Sequence, residues 1–314
     1  MFTKGQDFGK YRIEDVLGSG GFGAVYLALD RMIEKKVALK VPHEQTGDIE
    51  KLLKEARLLA RLEHPHIIRV YTADIIDGTF FIVMEYVEGE TLMERIKNGR
   101  RLSVEDSAAI LQPVGEAVEY AHRQQIIHRD IRPSNVLMER RTNAPKVADF
   151  GTSRMLETAA PFAKTRIGSP PYMPPEQFDG RATFASDVYA LGVMAYRLMC
   201  GKLPFFHSSL PELERLIKRE AAVALNLQER SVPKRVSDVV MRAIEKDTGK
   251  RYQSVAEFLS EMSAAMDREY KTPEIEDIRA RIRAREQPRS IVCWNCRKPL
   301  PAQTKSCPHC RVTV

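Results

Sequence analysis

Three residues of the kinds that take protons and hold cations stand close together in the middle of the chain. Asp130 and Asn135 belong to His128-Arg129-Asp130-Ile131-Arg132-Pro133-Ser134-Asn135, and Asp149 follows the strand-like run Lys146-Val147-Ala148 at the head of Asp149-Phe150-Gly151. A loop, a short hairpin-like interval and a second loop would bring all three to one polar cavity. Such a cavity suits metal-assisted phosphoryl transfer. Asp130 would accept the proton of an attacking hydroxyl, while Asn135 and Asp149 would hold the Mg²⁺ (or Mn²⁺) ions that offset the charge of a nucleotide's phosphates. Each triplet alone is an ordinary surface sequence, so the argument rests on their order and separation.

The elements that must position these residues are legible on both sides. Tyr11 to Leu17 reads as a strand that runs into Gly18-Ser19-Gly20-Gly21-Phe22-Gly23-Ala24-Val25-Tyr26. Glycines at 18, 20 and 23 let backbone approach phosphates closely, and Val25 is placed to cover an adenine ring. Alone this spacing also opens a Rossmann unit, but Val25-Tyr26-Leu27-Ala28-Leu29 is β-like, so a strand-turn-strand lid fits better. Val37-Ala38-Leu39-Lys40 is the next strand, ending on a lysine suited to the α- and β-phosphates. Asp48 to Leu62 has helical periodicity and carries Glu55, with Lys51 and Lys54 as its neighbours. His64-Pro65-His66 is a loop, not a metal pair, because the proline forces an extended turn. Ile67 to Tyr71 and Phe80 to Met84 read as strands joined through Asp77-Gly78, giving five strands in the first half.

Beyond them the chain turns helical. Ser103-Val104-Glu105-Asp106 is a capping-box-like start for a helix to about Gln124, with Pro113 as a kink. The segment from Gly151 to Glu176 is rich in hydroxyls, including Thr152, Ser153, Thr158, Thr165 and Ser169. Phe184 to Cys200 is an apolar helix bearing Asp187 near its start.

Taken together, these motifs resemble those of Ser/Thr protein kinases, with bacterial relatives nearest in texture, over residues of about 9 to 267. The resemblance implies an α+β, bilobal kinase fold: a small β-rich lobe with one helix and a larger helical lobe. It implies ATP as phosphoryl donor and protein hydroxyls as acceptors. By resemblance, Asp130, Lys40, Arg132 and Asn135 are catalytic, and Glu55 pairs with Lys40. Gly18, Ser19, Gly20, Gly21, Phe22, Gly23, Val25, Ala38, Met84, Glu85, Val87 and Leu137 line the nucleotide site, with Met84-Glu85-Tyr86-Val87 as the hinge. Asp187 would brace the catalytic loop, Ser169 would help position Asp130, and Arg251 would pair with Glu176 of Pro174-Pro175-Glu176. Two departures stand out: Arg132 replaces the usual lysine, a fork in place of a point charge, and Pro174 replaces an alanine. Thr165, four residues before Ser169, sits where such kinases carry an activating phosphate. Arg129, Arg154 and Lys51 are the cations that would meet it. A nucleotide-binding pseudokinase scaffold is the alternative, which the retained Lys40, Glu55, Asp130, Asn135 and Asp149 argue against.

Composition sets the frame and singles out the tail. A chain of 314 residues suffices for one large bilobal unit or two domains. No apolar run approaches a membrane span and Met1 to Asp7 lacks a secretory apolar segment, so a soluble, cytoplasmic protein is expected. Of the formal net charge of +7, more than all is carried by residues 279 to 314, which hold nine Lys/Arg against Glu286 alone. Residues 268 to 290 read as a charged linker. Within it a helix over 272–287 has Thr272 as cap, Pro273 first, and a narrow stripe of Ile275, Ile278 and Ile282, a docking face for this chain or a partner rather than a membrane helix. Residues 291 to 314 carry Cys293-x-x-Cys296 and Cys307-x-x-Cys310, which resemble a zinc ribbon holding Zn²⁺ on four thiolates. Two disulfides or an iron site are the competing readings, and a reducing compartment disfavours the first. Cys200, at a helix end, reads as buried and inert. Nucleic acid as a partner of the basic tail is the less favoured reading, since zinc thiolates weaken its charge.

Overall fold

The computed structural model describes residues 2–20, 23–43, 49–97, 100–150, 170–269, 291–300 and 305–313, with the side chains of 49, 51, 54, 55, 268, 269, 291 and 292 left aside. The chain divides into two compact units, Met1–Ala265 and Met266–Val314.

The first unit begins with an antiparallel sheet of β1 (Asp7–Phe8), β2 (Tyr11–Gly20), β3 (Gly23–Asp30), β4 (Lys35–Pro42), β5 (Val70–Ile76) and β6 (Thr79–Glu85), ordered β1-β2-β3-β4-β6-β5. Its two faces follow from the period-two alternation of strand side chains. One face buries Tyr26, Ala28, Val37, Leu39, Phe81 and Val83 with Phe8 and Tyr11. On the other, Phe80 and Ile82 pack with Leu52 and Ala56 of α1 (Ile49–Leu59). The sheet therefore has six strands where the sequence suggested five, because β1 is only two residues long. The strand expected at Ile67 to Tyr71 is displaced to Val70–Ile76. Residues 66–68 pair elsewhere: Ile67 is buried and bridges Val147 in parallel, and Ile68 N–H donates to the Val147 carbonyl at 2.9 Å.

The helical part is built on α3 (Val104–Arg123) and α4 (Phe184–Cys200). The Ser103 hydroxyl caps α3 by accepting from Asp106 N–H at 2.9 Å, and Pro113 lies inside the helix. α4 is apolar all round and nearly all of its side chains are buried, which makes it the central post of this lobe. The remaining elements of this part are β7 (Gly89–Thr91), α2 (Leu92–Arg95), the hairpin of β8 (Val136–Glu139) and β9 (Pro145–Val147), α5 (Leu210–Arg219), α6 (Leu225–Gln228), α7 (Lys234–Ala243) and α8 (Val255–Glu269), and α3, α6 and α7 pack on α4. Cys200, at the end of α4, is half-buried, and burial raises its thiol pKa. No helix among the described residues is long and apolar enough to cross a membrane.

The second unit contains a small hairpin, β10 (Ile291–Val292) with β11 (Pro299–Leu300), and a bridge between Ser306 and Thr313. The helix expected over 272–287 lies outside the described residues.

Candidate functional site

Register places the nucleotide-side residues. Lys40 on β4 is opposite Val25 and Ile82, and Ala38, two residues back on the same face, is opposite Leu27 and Met84. Gly18 pairs with Val25, Ser19 with Ala24 and Gly20 with Gly23, so the glycine motif is the tip of a strand-turn-strand lid and not a strand-to-helix turn. Gly23 is required: its φ is +152° and a Cβ there would lie 2.3 Å from the Val41 carbonyl oxygen. A Cβ at Gly18 or Gly20 would meet nothing within 4 Å, so packing within the lid does not itself demand glycine at either position. Gly21 and Phe22 fall outside the described residues. His43, which the sequence did not single out, ties the lid to β4 through Nε2 and the Gly20 carbonyl at 2.9 Å.

The hinge is tethered from behind. Glu85 pairs with Lys146 of β9 at 2.9 Å, accepts from Arg69 N–H at 3.3 Å, and donates its own N–H to the Arg69 carbonyl at 2.8 Å, so its backbone N–H is not available to a nucleotide base. Met84 and Leu137 are half-buried and Val87 is buried. Just beyond, Gly89 admits the Met138 carbonyl oxygen, which would stand 1.9 Å from any Cβ.

The catalytic-loop backbone is held by α4. Asp187, fully buried, accepts from His128 N–H at 2.8 Å, Arg129 N–H at 2.8 Å and His122 Nε2 at 2.7 Å. Burial works against its charge, but these donors outweigh it and hold the carboxyl below its ordinary pKa. The Arg129 carbonyl accepts from Gln177 Nε2 at 2.8 Å, so both backbone groups of the residue before Asp130 are fixed. That fixing sustains strain: Arg129 has φ +68° and Asp149 φ +62°. His128 joins the two loops, with Nε2 at 2.9 Å from the Ala148 carbonyl and its ring 4.5 Å from that of Phe150.

On this frame the acids converge. Asp130 Oδ2 accepts from Asn135 Nδ2 at 2.9 Å and faces Arg132 Nε at 3.3 Å. Burial raises the Asp130 pKa, while Arg132, His128 and Asn135 pull it down, so it is a stronger base than a solvated aspartate. Asn135 also donates Nδ2 to the Asp130 carbonyl at 2.8 Å, which orients its amide oxygen as the candidate metal ligand. Asp149 receives Lys40 Nζ at 2.6 Å, and that cation holds its carboxyl below the ordinary value. Its side chain is still 38% exposed, so it can reach a cation on the cavity side. Hard oxygen donors of this number suit Mg²⁺ or Mn²⁺ shared with phosphates. The side chains of Glu55 and Lys51, and Gly151, Thr152, Ser153, Arg154, Thr158, Thr165 and Ser169, fall outside the described residues, so the Lys40–Glu55 pair and the phosphate relay do too.

Below the site, Arg251 and Glu176 form a two-pronged pair, Nη1–Oε1 2.7 Å and Nη2–Oε2 2.8 Å, with Ser186 Oγ also donating to Oε1 at 2.7 Å. His64 and His66 lie in their expected loop; His66 Nδ1 contacts the Pro145 carbonyl at 2.8 Å and so helps hold β9.

In the second unit, Cys293, Cys296, Cys307 and Cys310 bring their sulfurs within 4.8 Å of one another. All are free thiols, with Cys293–Cys310 at 3.5 Å and Cys296–Cys307 at 3.7 Å. A tetrahedral zinc with bonds of ~2.3 Å needs sulfurs ~3.8 Å apart, whereas a disulfide needs ~2 Å. The four thiols fit Zn²⁺, and the disulfide reading has no support in this geometry.

A curled sheet with a glycine lid over a helical lobe, joined by a hinge and carrying these two loops, is the architecture of a protein kinase. Residues 11–270 match the protein kinase domain family. The chain is 34% identical over 265 residues to the serine/threonine-protein kinase PrkC of Bacillus subtilis (strain 168), covering 82% of this chain and 41% of that protein. It is 35% identical over 273 residues to the serine/threonine-protein kinase pkn2 of Myxococcus xanthus, covering 82% of this chain and 32% of that protein. The chain thus spans less than half the length of these curated relatives, and it belongs to the protein kinase domain family.

Proposed function

We propose that the chain is an ATP-dependent Ser/Thr protein kinase that moves the γ-phosphoryl group to protein hydroxyls. The observation that supports this reading is a pair of neighbouring contacts, Lys40 with Asp149 at 2.6 Å and Asn135 with Asp130 at 2.9 Å, on loops that His128 joins through the Ala148 carbonyl at 2.9 Å. Lys40 and the glycine lid bind and orient the phosphates, and the hinge backbone at Glu85 and Val87 holds the base. Asn135 and Asp149 would hold Mg²⁺ or Mn²⁺, which when bound neutralises charge on the phosphates. Asp130 takes the proton of the attacking hydroxyl, aided by the pKa that burial raises. Arg132 lies beside Asp130 as a permanent cation, suited to the transferring phosphoryl oxygens. The four cysteines would hold one Zn²⁺ as a closed structural site. Activation by a phosphate on Thr165, met by Arg129, Arg154 and Lys51, is proposed from sequence spacing alone.

The test is incubation of the purified chain with labelled ATP, Mg²⁺ and a generic protein substrate, followed by phosphoamino-acid analysis and site mapping. Phosphoserine and phosphothreonine are expected, with phosphate at Thr165. No incorporation would refute the activity, phosphotyrosine alone would refute the acceptor class, and an unmodified Thr165 in active protein would discard the switch.

A further inference from the structure

The cysteine unit carries two features that holding a metal does not require, cations without acids and an exposed tryptophan, and a third in the choice of residue at two strained turn positions. Its segment 291–314 contains Arg297, Lys298, Lys305 and Arg311 and no Asp or Glu, and all four cations are exposed. Zinc on four thiolates subtracts two charges, which leaves a net charge of about +2. Trp294 is 70% exposed, and its indole N–H is spent on the Thr313 carbonyl at 3.2 Å, so the ring is pinned across the two knuckles and presents a flat surface, not a donor.

The third feature lies where backbone strain repeats. The two knuckles are built alike: Arg297 N–H returns to the Cys293 carbonyl at 2.8 Å and Cys293 N–H reaches Lys298 at 2.9 Å. Arg311 N–H returns to Cys307 at 2.8 Å and Cys307 N–H reaches Val312 at 2.8 Å. In each, the residue after the second cysteine is forced into the left-handed region, with φ of 56° at Arg297 and 60° at Arg311. Glycine adopts this conformation without penalty and arginine does not. Glu34 and Gln125 also hold positive φ, so the strain alone signals no ligand; what points to one is its bearer, a long exposed cation at the same place in each knuckle of a segment without acids.

We propose that this face binds single-stranded nucleic acid, with a base stacked on Trp294 and backbone phosphates on Arg297 and Arg311. An acidic or phosphorylated peptide would satisfy the cations but offers no regular partner for a flat exposed indole. An unpaired strand supplies both at once, whereas in a duplex the base faces are already stacked. This inference stands apart from the kinase chemistry and does not depend on it.

Trp294 is the chain's only tryptophan, so intrinsic fluorescence of the full, zinc-loaded protein reads the site directly. Titration with an oligothymidylate of about a dozen nucleotides, a length within the usual range of such sites, is expected to quench it saturably and less so as salt rises. The variant pair Arg297→Gly and Arg311→Gly relieves strain, so it is expected to keep one zinc and full kinase activity while losing about 1.4 from the salt slope, ~0.7 for each phosphate contact. With a dye-labelled strand, Trp294→Ala is expected to bind about tenfold more weakly or worse. If that variant loses zinc, the arginine pair decides alone. Absence of quenching, equal quenching by inorganic polyphosphate or polyglutamate, tighter binding to duplex, or unchanged affinity and slope in a zinc-bound arginine pair would each overturn the proposal.

Discussion

The kinase unit and the cysteine unit are held together by different physics. In the first, α4 alone buries Val188, Tyr189, Leu191, Val193, Met194, Tyr196, Leu198 and Met199, and each large apolar side chain removed from water contributes about 1.5–3 kcal/mol. In the second, the buried cluster among the described residues is Cys293, Leu300 and Cys307, with Cys296 and Cys310 packed against it. Such a cluster buries little apolar area against the entropy of ordering a chain, and a metal on the four thiolates, as proposed, would supply stabilisation there. The contrast extends to strain: in the kinase unit Asp187 and Gln177 hold Arg129 at a positive φ beside Asp130, the proposed base, whereas the knuckles hold two arginines there through the turn itself.

The largest effect should come from removing what only one unit needs. Zinc binding at such a site is worth about 10–16 kcal/mol, so a strong chelator, or Cys293→Ser with Cys296→Ser, should strip one zinc and melt the cysteine unit. The main unfolding transition, followed by calorimetry, should stay where it was. Loss of that transition with the metal would mean the two units are one cooperative body. Lys40→Met and Asp149→Asn should each lower phosphoryl transfer at least about a thousandfold, since they remove a phosphate or metal contact and no core. Zinc content should be unchanged in both, as elemental analysis would show. A third change strikes the first unit's frame. Arg251 is fully buried and Glu176 nearly so, and Glu176→Ala leaves that guanidinium without a counter-charge, held only by the Glu245, Ala185 and Lys246 carbonyls. A loss on the order of 3 kcal/mol in denaturant unfolding is expected, again with zinc retained.

The smallest effect concerns pH. With Asp130 as the proposed base, transfer would require it deprotonated, and its pKa lies above the ordinary aspartate value because of burial, with Arg132 pulling it down. The acid limb of kcat/KM should therefore fall above that ordinary value. Arg132→Leu removes the neighbouring guanidinium charge that lowers the Asp130 pKa, so it should move the limb to higher pH. A shift to lower pH, or none, would contradict the assignment of Asp130 as the base.

Much of this was legible from residue order, because kinase chemistry fixes residue types at fixed separations along loops. Asp130 beside Asn135 and Arg251 on Glu176 follow that logic, as do the four clustered thiols, whereas the contact of Lys40 with Asp149 does not, since the sequence pointed Lys40 to Glu55. What escaped was set by tertiary approach. Gln177 reaching the Arg129 carbonyl, His43 on Gly20 and Lys146 behind the hinge are ordinary polar residues with no periodic or motif signal. Gly89 could have been noticed as a glycine in a strand, but only the fold reveals the carbonyl pressed against it. The displaced β5 shows another limit: Ile67 looks like a strand residue, and it is paired, but to β9 rather than within the six-stranded sheet.

The central claim is that Asp130, fixed by Asn135 and a backbone braced on Asp187, is the base for transfer to a hydroxyl. It is tested most directly by single-turnover transfer from labelled ATP, wild type beside Asp130→Asn, with nucleotide affinity measured on both. The account predicts near-complete loss of transfer in Asp130→Asn with ATP binding preserved within a few fold, because Lys40, Asp149 and the glycine lid are untouched. Transfer at the wild-type rate in the variant would contradict it.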